Sequence, residues 1–281
     1  METPLKTASQ LTFDFTGRVA VVTGAARGVG RSIVQAFARA GAKVVAVDRD
    51  AAGLQETLSL SPDGVAAVVS DISQPEGAQA TVDAAMAHFG RLDICVNNAA
   101  VAPHTALLEE RAEVWDQVYA VNCRGTFLMT QAAARLMIAG GHGGRIVNFS
   151  SAASRRGSPG AAAYASSRAA VESFTRVAAI ELAPHGILVN TVSPGLIDTQ
   201  PKPLPPMMAE TLSQRIPTLP LARPGQPEEV VAAVLFLASD ASSYISGSVM
   251  MVDGASAVGS RFSEPVVDDD IRYDWVTGHT R

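Results

Sequence analysis

The sequence predicts a single α/β domain of the doubly wound kind, a parallel sheet of about seven strands with helices on both faces. Three observations carry this. Short runs rich in Val, Ile and Ala alternate with longer helical segments along most of the 281 residues, the pattern of repeated strand–helix units. Those runs are apolar throughout rather than alternating, as strands covered on both faces are. The third observation is that the first run ends in Thr23-Gly24-Ala25-Ala26-Arg27-Gly28-Val29-Gly30, a glycine turn that opens a helix.

Residues 1–15 are polar or mixed and form an arm ahead of the domain at 16–255. Val19–Val22 is the first strand, and after the glycine turn a helix runs from Arg31 to Ala40, where Gly41 stops it. Gly24, Gly28 and Gly30, with Arg27 and Val29 beside them, let the backbone turn tightly and approach a diphosphate on the free N–H groups of the helix start. The second strand, Val44–Val47, ends at Asp48, 24 residues after Gly24. That is the spacing of an acid that accepts hydrogen bonds from an adenosine ribose and repels an added phosphate, so NAD is expected in preference to NADP. The third strand, Val65–Val69, leads to Asp71 and Ile72, and a helix with proline in its first turn spans Pro75–Phe89. Leu92–Val96 closes in Asn97-Asn98-Ala99-Ala100, whose small residues let the backbone lie along a cofactor. A helical region over Glu109–Ala139 contains Asn122, either a structural amide or the holder of an ordered water.

Ile146, Val147 and Phe149 make a buried strand that delivers Ser150 and Ser151, and Gly157, Pro159 and Gly160 mark a loop. The alanine-rich helix that follows, as far as Leu182, sets Tyr164 and Arg168 at i and i+4 on one face. A fixed cation beside a phenol favours the phenolate and suits proton exchange with an alcohol or carbonyl, while Ser151 adds a hydroxyl for the same oxygen. The plainer alternative is a solvated Arg and a packed Tyr. Strand Ile187–Val192 stops at Ser193-Pro194-Gly195. Residues 196–220 are proline-rich, with Thr199, Met207 and Met208, and predict a cover with one short helix over the site. A helix at Pro227–Leu237 and a strand at Val249–Val252 precede a tail, 256–281, in which Asp268–Asp270 suggest exposure and Phe262, Tyr273 and Trp275 suggest a contact.

The net charge is −5, without a basic stripe for nucleic acid, and no run reaches the ~18 apolar residues of a membrane span. A soluble, cytoplasmic protein acting on a small molecule is expected. Cys95 and Cys123 lie in apolar segments without ligand spacing, which predicts free thiols and no metal. His104, Arg155 and Arg156 fall on loops near the expected mouth of the site.

Thr-Gly-x-x-x-Gly-x-Gly, Asn-Asn-Ala-Ala, Ser151 followed thirteen residues later by Tyr164, and Pro194-Gly195 together resemble the short-chain dehydrogenase/reductase family over residues 16–255. Arg223-Pro-Gly-Gln-Pro-Glu-Glu-Val, Ser246-Gly247 and Val252-Asp253-Gly254 extend the likeness. The resemblance implies a Rossmann-type domain and an NAD-dependent oxidoreductase that interconverts a secondary alcohol, such as a polyol or sugar hydroxyl, and a ketone. Asn122, Ser151, Tyr164 and Arg168 take the catalytic positions, with Tyr164 as acid/base. Gly24, Arg27, Gly28, Val29, Gly30, Asp48, Asp71, Ile72, Asn98, Tyr164, Arg168, Pro194 and Thr199 take the cofactor positions. The resemblance also implies a homotetramer or dimer. Arg168 departs from the pattern, since the family carries Lys there; the alternative is therefore a cofactor-binding protein with little redox turnover, and a non-redox elimination is a third reading. Ala100 and Ala255 stand where Gly is usual.

Overall fold

The apolar runs lie side by side in a computed structural model that describes residues 12–199, 203, 206–260, 273–274 and 279–280. They form β1 (Val19–Thr23), β2 (Lys43–Asp48), β3 (Val65–Val69), β4 (Ile94–Asn97), β5 (Gly144–Phe149), β6 (Ile187–Pro194) and β7 (Val249–Val252). The strands are parallel in the order β3-β2-β1-β4-β5-β6-β7. Between them run α1 (Gly28–Arg39), α2 (Ala51–Ser59), α3 (Pro75–Phe89), α4 (Ala112–Tyr119), α5 (Thr126–Gly140), α6 (Ala162–Leu182), α7 (Pro206–Arg215) and α8 (Pro227–Ala238).

The continuous hydrophobicity of the strands has its cause in the two layers they separate. Successive strand side chains point to opposite faces. Ala20 and Val22 of β1 join one core with Ile33 and Phe37 of α1 and Val234 and Leu237 of α8. Val19 and Val21 join the other, with Val82 of α3, Met129 and Met137 of α5 and Ala178 of α6. The arm ends inside the first core, since Phe15 is buried and its ring lies 4.9 Å from that of Phe37.

Three details go beyond the sequence reading. Helix α2 follows β2, started by Asp50, whose side chain accepts from the Gly53 N–H. The region 109–139 is three pieces, with a π-helical turn at Ala120–Gly125 between α4 and α5. Buried polar side chains also cross the sheet in register, Asn97 opposite Asn148 and Asn148 opposite Thr191. Asn97 donates to Asn148 Oδ1 (2.8 Å) and Thr130 Oγ1 (3.1 Å), Asn148 donates to Thr175 Oγ1 (2.9 Å), and Thr191 donates to the same Thr175 oxygen (2.9 Å). Phe262, Trp275 and Asp268–Asp270 lie outside the described residues, as do the side chains of Met207 and Met208. No helix among the described residues is long and apolar enough to cross a membrane.

Candidate active site

Strand order reverses between β1 and β4, and at that point a doubly wound sheet opens a crevice beyond its carboxyl ends. Here the crevice is a cleft of about 820 Å³. Its near wall is the glycine turn. Gly24 has φ +67°, and a Cβ on it would stand 2.7 Å from Ala99 Cα; one on Gly30 would stand 2.0 Å from the Gly24 carbonyl oxygen. Neither position tolerates a side chain. Asn98 braces this turn from β4's end, its Nδ2 donating to Thr23 O (2.9 Å) and Gly24 O (3.1 Å). At the start of α1, Arg27 makes no side-chain cap and the first turn carries no acid. The helix therefore keeps its N–H donors and positive end available to an anion.

Asp48 accepts from Ala26 N and Asp50 N, both at 3.1 Å, one on each oxygen, so each oxygen retains acceptor capacity. Asp71 and Ile72 line the same end; Pro194 ends β6 and Thr199 follows it, the Thr199 side chain lying 3.6 Å from where a Cβ on Gly28 would stand. A glycine cradle under an uncapped helix, with an acid 24 residues along the chain, fits a dinucleotide. Arg27, Val29, Tyr164 and Arg168 also line the cleft.

The opposite wall is built by β5 and α6. Tyr164 is half-buried, whereas Arg168 is 2% exposed. The Arg168 Nη1 donates to Phe149 O (2.8 Å), and its Cζ lies 5.3 Å from the Tyr164 ring centroid, within cation–π range. Its Nε is buried without a hydrogen-bond partner. An orphaned donor on a buried charge is costly in a resting structure and points to a ligand oxygen. Ser151 Oγ accepts from Ala153 N (3.2 Å), which leaves its own O–H free to donate.

Sequence reasoning missed the residue that holds Ser151 in place. Glu172, buried, stands four residues beyond Arg168 on the same helix face, a spacing that signals it. Its Oε1 accepts from Ser150 Oγ (2.7 Å) and Ser154 Oγ (2.6 Å), and its Oε2 from Arg155 Nη2 (3.2 Å). The turn that carries Ser151 is thus pinned on both sides. Arg155 consequently faces Glu172, while His104 and Arg156 line the cleft as expected, joined by Arg215 at the end of α7.

Asn122 lies in the π-helical turn, fully buried, behind the wall rather than on it. Its Nδ2 donates to Val101 O (2.9 Å) and Ser167 Oγ (3.1 Å), and its Oδ1 accepts from Val101 N (2.9 Å). It ties the segment after β4 to α6 beside Arg168. Both cysteines are free thiols; burial pushes Cys95 up to about 12 and raises Cys123, the latter opposed by the Arg168 charge. Among the described residues no three metal-ligating side chains gather.

A family model described as Enoyl-(Acyl carrier protein) reductase matches residues 24–255. L-xylulose reductase of Bos taurus is 42% identical over 241 residues, 85% of this chain and 96% of that protein. (3R)-3-hydroxyacyl-CoA dehydrogenase of Mus musculus is 40% identical over 248 residues, 84% of this chain and 95% of that protein. A short-chain type dehydrogenase/reductase from Mycobacterium marinum superimposes with a TM-score of 0.81 at 36% identity, over 87% of this chain and 97% of that one. With the glycine cradle, the Ser151–Tyr164 wall and these matches in agreement, the chain belongs to the short-chain dehydrogenase/reductase family of oxidoreductases.

Proposed function

We propose that the protein is an NAD-dependent oxidoreductase interconverting a secondary alcohol and a ketone. The orphaned Arg168 Nε beside Tyr164, in the cleft that Ser151 also lines, carries this reading, because it marks a place prepared for a ligand oxygen next to a proton-exchanging phenol. The bound nicotinamide supplies the hydride acceptor or donor. Ser151 donates to the substrate oxygen. Tyr164 takes the hydroxyl proton in oxidation and returns it in reduction. Arg168 sets its guanidinium beside the phenol, and its Nε would hold a ribose hydroxyl. Asn122 positions the wall from behind. The free acceptor capacity of Asp48 favours two ribose hydroxyls over a 2′-phosphate, hence NAD.

The names of the two relatives, a ketose reductase and a hydroxyacyl dehydrogenase, suit a CH–OH substrate such as a polyol or sugar. Exposed apolar side chains on α4, α5 and α6, among them Trp115, Phe127, Val177 and Ile180, support a homo-oligomer built on that face. A second reading, cofactor binding with little turnover, is favoured by one observation, the bond that ties Arg168 Nη1 to the backbone and leaves less of the guanidinium for the site.

The test follows NADH absorbance with NAD and a panel of secondary alcohols and polyols near pH 9, beside Arg168→Lys and Tyr164→Phe. Turnover by the unmodified protein, with loss of at least about a hundredfold in Tyr164→Phe, is the expected result. Turnover by the Lys variant alone would establish the second reading instead.

A further inference from the structure

The carboxylates of the cleft are confined to one end, where Arg27 and Arg49 also stand. The carboxylates that line it, Asp48, Asp50 and Asp71, stand after β2 and β3, on one side of the reversal in strand order. Among the described lining residues, none stands on the other side. There the segments after β4, β5 and β6 bring His104, Arg156 and Arg215. Arg156 is held in place, its Nη1 donating to Ser256 O (3.1 Å) and its Nη2 to Ser260 Oγ (3.0 Å). A guanidinium has five donors, so others remain uncommitted. The Arg215 carbonyl accepts from Thr218 Oγ1 (2.8 Å), but its guanidinium has no hydrogen bond or ion pair with any described residue. Some arginines near the cleft find carboxylates, as Arg155 finds Glu172 and Arg223 finds Glu229. Arg156 and Arg215 instead face the half of the cleft that no carboxylate lines, where low-dielectric walls concentrate their field.

We propose that the substrate carries an oxyanion, a carboxylate or a phosphate ester, away from its reacting carbon, and that Arg156 and Arg215 hold it with His104 as a further donor. The planar forks of arginine suit both groups, which each present two oxygens to paired N–H donors. This rests on the oxidoreductase reading above, since the anion site is defined by sharing one cleft with Tyr164.

The experiment uses matched ketones with the protein–NADH complex: levulinate against its methyl ester, and dihydroxyacetone phosphate against dihydroxyacetone. The charged member of at least one pair is expected to show a kcat/KM ten times that of its neutral partner or more, and the pair affected distinguishes carboxylate from phosphate. In Arg156→Gln and Arg215→Gln that ratio falls toward one, and Arg156→Lys recovers part of it, with NADH titration reporting the fold of each variant. Equal use of charged and neutral members, or an unchanged ratio in both Gln variants, overturns the proposal. Should the complex reduce none of the four, calorimetric titration with levulinate and dihydroxyacetone phosphate decides: binding weakened at least tenfold in the Gln variants sustains the anion site, and no binding overturns it. Failure to bind NADH at all would instead overturn the underlying oxidoreductase reading.

Discussion

Glu172 shows how much a single residue outside the cleft can govern inside it. Its carboxylate accepts from Ser150, Ser154 and Arg155 at once, and Ser151 rides on the turn so fixed. Glu172→Gln keeps the volume but replaces one acceptor oxygen by a donor. We expect kcat to fall on the order of tenfold with NADH affinity retained, because small misplacements of a substrate-orienting hydroxyl act on the chemical step; loss of NADH binding in parallel would mark a general collapse of the wall instead. Ala255 makes a second residue-scale case. It adopts φ +68° in the turn whose neighbour, Ser256, anchors Arg156. A side chain in that region costs about 1–2 kcal/mol, so Ala255→Gly should stabilise the protein by about 1 kcal/mol in urea unfolding. The sequence flagged this alanine as a departure from a usual glycine, yet the sign of its φ is a property of the folded turn. Tyr164 and Arg168 were legible because a helix turns i and i+4 to one face; the contact from Arg168 to the Phe149 carbonyl was not, because it joins residues on different elements.

Among the elements, β4, β5 and β6 are joined by more than their backbone ladder. The chain Asn97–Asn148–Thr175–Thr191 satisfies its members only collectively, and Asn148 is fully buried at its centre. Asn148→Val leaves Asn97 and Thr175 each short of a partner, and we expect a loss of about 3 kcal/mol in equilibrium unfolding, against the small effect of an isosteric apolar change elsewhere in the sheet. Strand periodicity hides such a ladder, because one polar residue per apolar run has no visible counterpart until register is known. Helix α2 stayed hidden for a different reason: it is short, and its start depends on one local bond at Asp50. The start of α8 gives a pH dependence. The Arg223 guanidinium and the Gln226 N–H hold the Glu229 carboxyl down at about 2, below its ordinary 4.5. A depressed carboxyl contributes stability above its unfolded value and loses it as pH falls through the folded one. Glu229→Gln should therefore unfold at a lower temperature than the parent at pH 7, modestly because the pair is partly exposed, and the gap should close between about pH 4.5 and 2.

For the whole molecule, the association proposed through α4, α5 and α6 makes a direct demand. Ile180 is 77% exposed, so Asp there disturbs little within one chain, while Phe127, 42% exposed, rests edge-on against Phe174. Sedimentation velocity should show the parent as a multiple of 29.2 kDa and the Ile180→Asp, Phe127→Asp double variant shifted toward that mass; a parent sedimenting at 29.2 kDa removes the association. The order of the strands has another outcome. On the proposed oxidoreductase reading, the cleft residues that would meet the dinucleotide's adenosine half come from 24–72, and those that would face the substrate come from 101–256, on either side of one seam. The two specificities are therefore inherited as separate passages of the chain, and a graft exchanging the first passage for that of a relative would alter cofactor preference while leaving substrate choice in place. The stitch to preserve is Asn98, which lies between the two passages and grips the carbonyls of Thr23 and Gly24 where the first begins.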